Sequence, residues 1–226
     1  FGIVLEAIYD GFEETGEKFW NAYRYLKLND KSGKKGIILF VHGFTGGKKT
    51  WMENDKPRPF MQALLNEKKI SEDYDFAIFN YFTKITDLFE KTSGMLSMLF
   101  NKRKIHKNIP VDELSNLLFS QATITLRNYD SIILIAHSMG GLVSKSFILK
   151  SLEASSTRVK LYLSLAVPHN GSDLALFGKA ILNNPQIKDL TSLGERIDEL
   201  NRDWISRSSV LPETIYYQGT YDDVVP

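Results

Sequence analysis

The chain has 226 residues, 43% of them hydrophobic, which is enough for one sizeable core and short for two ordinary domains. Its 28 basic and 27 acidic side chains leave a net charge of +1, so no overall field recruits a polyanion and nucleic acid is not the expected partner. With no cysteine, disulfide frameworks, thiolate nucleophiles, cysteine-based zinc sites and iron–sulfur ligation fall away together, and covalent chemistry is left to oxygen or nitrogen nucleophiles. No apolar run reaches the ~18 residues of a membrane span, and acids stand where a signal peptide has its basic start, so a cytoplasmic location is expected.

Residues 1–35 form a lead-in segment, in which Glu13–Leu28 reads as a helix or, over Tyr23–Leu28, as an edge strand turning through Asn29–Gly33. A domain over 36–226 follows, opening on a buried strand at Gly36–His42. Pro59–Lys69 reads as a helix, with proline at the first turn and Phe60, Met61, Leu64 and Leu65 on one side. A second strand spans Tyr74–Asn80. An insertion over 82–110 then carries Leu88, Phe89, Met95, Leu96, Met98, Leu99 and Phe100, ahead of a basic cluster of Lys102, Arg103, Lys104 and Lys107. Asp112–Arg127 has helical spacing, Ser131–Ala136 is a strand, a helix begins at Met139, and Val159–Val167 is a fourth strand. Residues 173–212 are mostly helical in pattern, and a fifth strand spans Glu213–Gly219. Strands alternating with helices predict an α/β fold, a mostly parallel sheet with helices on both faces.

Ser131-Ile-Ile-Leu-Ile-Ala-His-Ser138-Met-Gly-Gly141 runs from an apolar strand through a tight turn into a helix. A serine on such a turn needs small neighbours two before and two after it, here Ala136 and Gly140, because the backbone is strained and adjacent segments come close. The helix N-terminus points N–H groups at charge developing on a tetrahedral intermediate, so the Met139 N–H is one expected oxyanion donor. The alternative is that Ser138 simply caps the helix. A second strand end, Val41-His-Gly-Phe-Thr-Gly46, enters a glycine-bearing loop that offers the Phe44 N–H as the other donor. That loop lacks both the Walker spacing and the dinucleotide fingerprint, which sets nucleotide binding aside.

Together these segments resemble the α/β-hydrolase superfamily, and within it a lipase-like branch similar to bacterial lipases and to GPI-inositol-deacylase-like and serine-esterase domains. Val167-Pro-His-Asn-Gly-Ser172 is similar to the Thr-Pro-His-x-Gly-Ser signature of that branch, with Val167 in place of threonine. The resemblance implies a serine acyl-ester hydrolase with Ser138 as nucleophile, Phe44 and Met139 as oxyanion hole, and no metal or organic cofactor. It places the triad acid at Asp222, in Gly219-Thr-Tyr-Asp222-Asp223-Val-Val, with Asp223 as neighbouring alternative and Asp173 as rival. His42, His137 and His169 fall at the substrate-binding edge. His137 also reads as a packing residue, and His106 sits in the basic insertion.

None of the four histidines suits the base, which the superfamily's order of serine, acid and histidine places after Asp222. The expectation is a chain cut from a longer, multidomain protein, ending before the final strand and the catalytic histidine. A hydrolase-fold interaction or sensor domain without activity, and an acyltransferase, are the alternatives. Residues 85–100 sit where a lid would, or cover the sheet as an ordinary helix, and the adjoining basic cluster is either a peripheral membrane contact or solvated loop. Trp51, Asn80 and Tyr81 near strand ends line a pocket or pack in the core.

Overall fold

A computed structural model describes residues 3–5, 33–43, 46–54, 56–81, 111–170 and 190–218. Among these residues the main sheet has six strands: β1 (Ile3–Leu5), β2 (Gly36–Val41), β5 (Tyr74–Tyr81), β6 (Ser131–His137), β7 (Val159–Leu165) and β8 (Glu213–Tyr217). Their spatial order is β1-β5-β2-β6-β7-β8, and every neighbouring pair is parallel except β1 with β5. A small hairpin, β3 (Met52–Glu53) and β4 (Lys56–Pro57), stands apart.

The alternation of side chains along the central strands divides the core into two layers. Ile37, Leu39 and Val41 of β2, Ala77 and Phe79 of β5, and Ile132, Leu134 and Ala136 of β6 face one way. They pack beneath α3 (Val111–Ile124), α4 (Met139–Glu153) and α5 (Leu190–Ser206). Ile38, Phe40, Phe76, Ile78 and Ile135 face the other way, onto Trp51 and Met61 of the hairpin side and α1 (Pro59–Asn66). A strand buried on both faces must be apolar throughout, which is why β2 reads as an unbroken run. The mostly parallel α/β architecture expected from the sequence is the one observed.

The elements differ from the expected ones where local geometry wins. The single helix over Pro59–Lys69 is two: Glu67 is extended (φ −74°, ψ 109°), and α2 (Lys68–Asp73) restarts beyond it. The break turns Ile70 and Tyr74 back onto the Phe76 layer. Helix α3 stops at Ile124 rather than Arg127 because Arg158, before β7, donates from its guanidinium to the carbonyls of Ala122, Leu126 and Tyr129. Strand β1 was not anticipated, since three residues are too short to show a period, and it gains its place by pairing along the β5 edge. The expectations for Glu13–Leu28, the 82–110 insertion and residues 171–189 lie outside the described residues.

Candidate active site

The chain passes from β2 to β5 on one side and then returns to β6 on the other, so the sheet's switch point lies between β2 and β6. In open α/β sheets the crevice beyond the carboxyl ends of the strands at that point is where ligands sit. The strand ends there carry His42-Gly43 and His137-Ser138.

Ser138 occupies the turn between β6 and α4 with φ 57° and ψ −136°, a conformation unfavourable for any residue but glycine. Its side chain makes no capping hydrogen bond to the helix it precedes, so it does not serve as an ordinary N-cap. Its backbone is anchored instead: Ser138 N–H donates to the Leu165 carbonyl at 3.0 Å, and its own carbonyl accepts from Gly141 N–H at 2.9 Å. Met139, the first residue of α4, carries one of the N–H groups that a helix start leaves without an intrahelical acceptor.

Two glycines let the β2 loop and the elbow touch. A Cβ at Gly43 would stand 2.5 Å from Ser138 Cβ and 2.8 Å from its Oγ, and one at Gly140 would strike the His42 carbonyl. The loop bearing Gly43 therefore lies directly against the serine, and a Gly46 N–H to Gly43 carbonyl bond of 3.1 Å turns it away again. Phe44, the expected second oxyanion donor, lies outside the described residues, as do Asp222, Asp223, Asp173, His106 and the 85–100 segment.

The histidines resolve differently from expectation. His42 is fully buried; its Nε2 accepts from Tyr81 N–H at 3.0 Å, which leaves Nδ1 protonated and donating to the Gly43 carbonyl at 2.8 Å. The Tyr81 ring stacks on it at 4.0 Å, and the Tyr81 hydroxyl donates to the His42 carbonyl. Burial holds His42 at a pKa of about 4. With both ring nitrogens engaged inside the protein, His42 is a brace for the Gly43 loop rather than the substrate contact expected of it. Tyr81 completes the brace as a core residue, and Trp51, buried against Phe40, is likewise core rather than pocket lining. His137 is exposed at the end of β6, on the opposite side of the strand from Ala136, which corrects its reading as packing.

His169 turns inward too. Its Nε2 lies 2.7 Å from Ser164 Oγ, and Tyr162, two residues earlier on β7, donates from its hydroxyl to the Gly141 carbonyl at 2.9 Å. The Nδ1 of His169 is buried and has no hydrogen-bond partner among the described residues. Burial, reinforced by the nearby Lys145 charge, lowers its pKa to about 4. One nitrogen of this half-buried ring is thus taken by Ser164. Among the described residues no cluster of metal-ligating side chains occurs, and no helix is long and apolar enough to cross a membrane. A cavity of about 300 Å³ between Ile148, Leu152, Val159, Leu211 and Glu213 opens at the other edge of the sheet, remote from Ser138.

A strained serine between a parallel strand and a helix, with a glycine loop pressed against it, defines the lipase- and esterase-like α/β-hydrolase fold. The chain belongs to the PGAP1-like alpha/beta domain family, whose profile matches residues 33–199. Among solved structures it is similar to phospholipase PlaB from Legionella pneumophila, with 18% identity and a TM-score of 0.53 over 80% of this chain. The match covers 37% of the phospholipase, so this chain spans well under half of that protein's length. A mature lipase of Bacillus licheniformis matches with 15% identity and a TM-score of 0.46, over 84% of this chain and 69% of its own. An esterase of Pyrococcus furiosus gives 16% identity and 0.47, over 86% of this chain and 65% of its own. No curated protein sequence matches.

The sequence did not flag Arg158, Lys145 or Asn201. Lys145 alone left a trace, as a cation in the midst of an apolar helical run seven residues after Ser138.

Proposed function

We propose that the protein is a serine-dependent hydrolase of carboxylic esters. The observation that carries the reading is Ser138 itself: a strained, uncapped hydroxyl at the switch point with the Gly43 loop against it. In the reaction so assigned, Ser138 Oγ loses its proton to a histidine base as it attacks the ester carbonyl, and an acyl-serine forms as the alcohol leaves with that proton. The Met139 and Phe44 N–H groups receive the oxyanion, and Asp222 orients the base. Water then attacks the acyl-serine and releases the acid. Of the described histidines, His42 and His169 are committed elsewhere and His137 is carried to the far side of its strand, so the base is assigned outside the described residues. Acyl transfer shares the acyl-enzyme and differs in the acceptor.

Incubation with a fluorophosphonate probe tests this. Covalent labelling that disappears in Ser138→Ala and slows in Asp222→Asn is expected, with release of acid from a p-nitrophenyl ester. Labelling retained in Ser138→Ala would overturn the assignment.

A further inference from the structure

Lys145 is a cation placed where a cation is costly. It lies two turns into α4, is 4% exposed, and among the described residues no carboxylate pairs with it. Its ammonium meets two groups of α5: the Asn201 Oδ1 at 2.5 Å and the face of the Trp204 ring, 5.1 Å from the centroid. A methionine of similar length would fill the space without desolvating a charge, so stability gives no reason for the lysine.

What the ammonium does that methionine would not is orient an amide. It can only donate, so the Asn201 oxygen must face it, and the Asn201 Nδ2 is thereby turned to the His169 carbonyl, to which it donates at 2.7 Å. That carbonyl ends the segment from Leu165 to His169, which stands on the other side of Ser138 from the Gly43 loop. Leu165 accepts the Ser138 N–H, and Ala166 is held at φ 46°, a left-handed conformation that needs external restraint. Val167 packs on the backbone of α4 at Gly141, and Ala166 N–H is tied to the Tyr217 carbonyl.

We propose that Lys145 is a positioning residue of the elbow: through the Asn201 carboxamide it pins the His169 carbonyl, and with it the strained segment against which the backbone of Ser138 is hung. The consequence for reaction at Ser138 rests on the hydrolase reading above, whereas the mechanical link does not.

Amide exchange followed by mass spectrometry separates the two. In Lys145→Met the peptide covering Leu165–Asn170 should exchange about tenfold faster, while thermal stability holds or rises. Asn201→Asp is the sharper variant, because its carboxylate keeps and strengthens the Lys145 contact but has no N–H for the His169 carbonyl. It too should quicken exchange in that peptide without lowering stability. The double variant should show no more than either single, since both break one link. Fluorophosphonate labelling should slow about tenfold in each, less than the roughly hundredfold loss that a full 1 Å misplacement produces. Unchanged exchange in that peptide, acceleration spread evenly over the chain, or additive effects in the double would overturn the proposal. Absence of labelling in the unmodified protein would sink the hydrolase reading instead, leaving the exchange data to decide the link.

Discussion

Gly43→Ala puts the contact between the loop and Ser138 to a quantitative test. The new Cβ would begin 2.5 Å from Ser138 Cβ, 2.8 Å from its Oγ and 3.1 Å from the His137 carbonyl. Carbon atoms rest at roughly 3.5–4.0 Å, so the loop has to retreat by about 1 Å. The Ser138 Oγ can rotate away, but Ser138 Cβ and the His137 carbonyl are fixed to the backbone, and His42, braced by Tyr81, resists movement from behind. Overpacking of this kind costs about 1–3 kcal/mol. If the loop supplies the proposed oxyanion donor, a 1 Å retreat also carries it out of register, which is enough to lower reactivity about a hundredfold. Gly36→Ala is the control: its Cβ would meet Tyr74 Cδ1 at 2.5 Å and the Asp73 carbonyl at 3.1 Å, but the half-buried ring lies at the opposite end of the strands from Ser138 and can swing aside. Thermal denaturation and the rate of fluorophosphonate labelling should show both losses for Gly43→Ala and at most a stability loss for Gly36→Ala. Labelling of Gly43→Ala within about threefold of the parent would refute the geometry, since the expected loss is far larger.

Three further outcomes follow from features of the fold. Ser138→Gly relieves a positive-φ residue and should stabilise the protein by about 1 kcal/mol in denaturant titration while abolishing labelling. His42 and His169 both have pKa values of about 4 in the fold, below the ordinary 6.5, so the unfolded chain binds protons that the fold refuses. Their contribution is complete above about pH 6.5 and drains away as pH falls toward 4, on the order of 3 kcal/mol for His42, and urea midpoints measured between pH 7.5 and 4.5 should drop less steeply in His42→Gln. Asp112 joins α3 to α4 and α5 through Arg196 at 2.7 Å and Lys150 at 3.8 Å, and Asp112→Ala should cost about 1 kcal/mol, less at high salt, because the cluster is partly solvated.

Much of the scaffold was legible because buried parallel strands have no polar face to disguise them. Five of the six main-sheet strands stand within two residues of the expected limits, and the elbow's position followed from an apolar strand meeting a serine between small residues. What could not be read was set by partners distant in sequence. His42 looked like a site residue because it borders the glycine loop, yet its ring is claimed by a backbone N–H on β5, 39 positions away. The end of α3 depends on Arg158, and the orientation of Asn201 on Lys145, 56 positions earlier. Periodicity carries no information about such pairings, which exist only once the layers have closed.

The elbow hangs from β2 and β6, interior strands with parallel neighbours on both sides, and α4 behind it is buried continuously from Gly140 to Leu149. Fraying that begins at an outer strand or a surface helix leaves this unit intact, because the least stable parts of a protein open first and the innermost open only with the whole. The hydroxyl of Ser138 and its supporting backbone therefore belong to the last structure to melt. Under mild denaturant, the protein should shed its periphery while the turn at Ser138 keeps its shape.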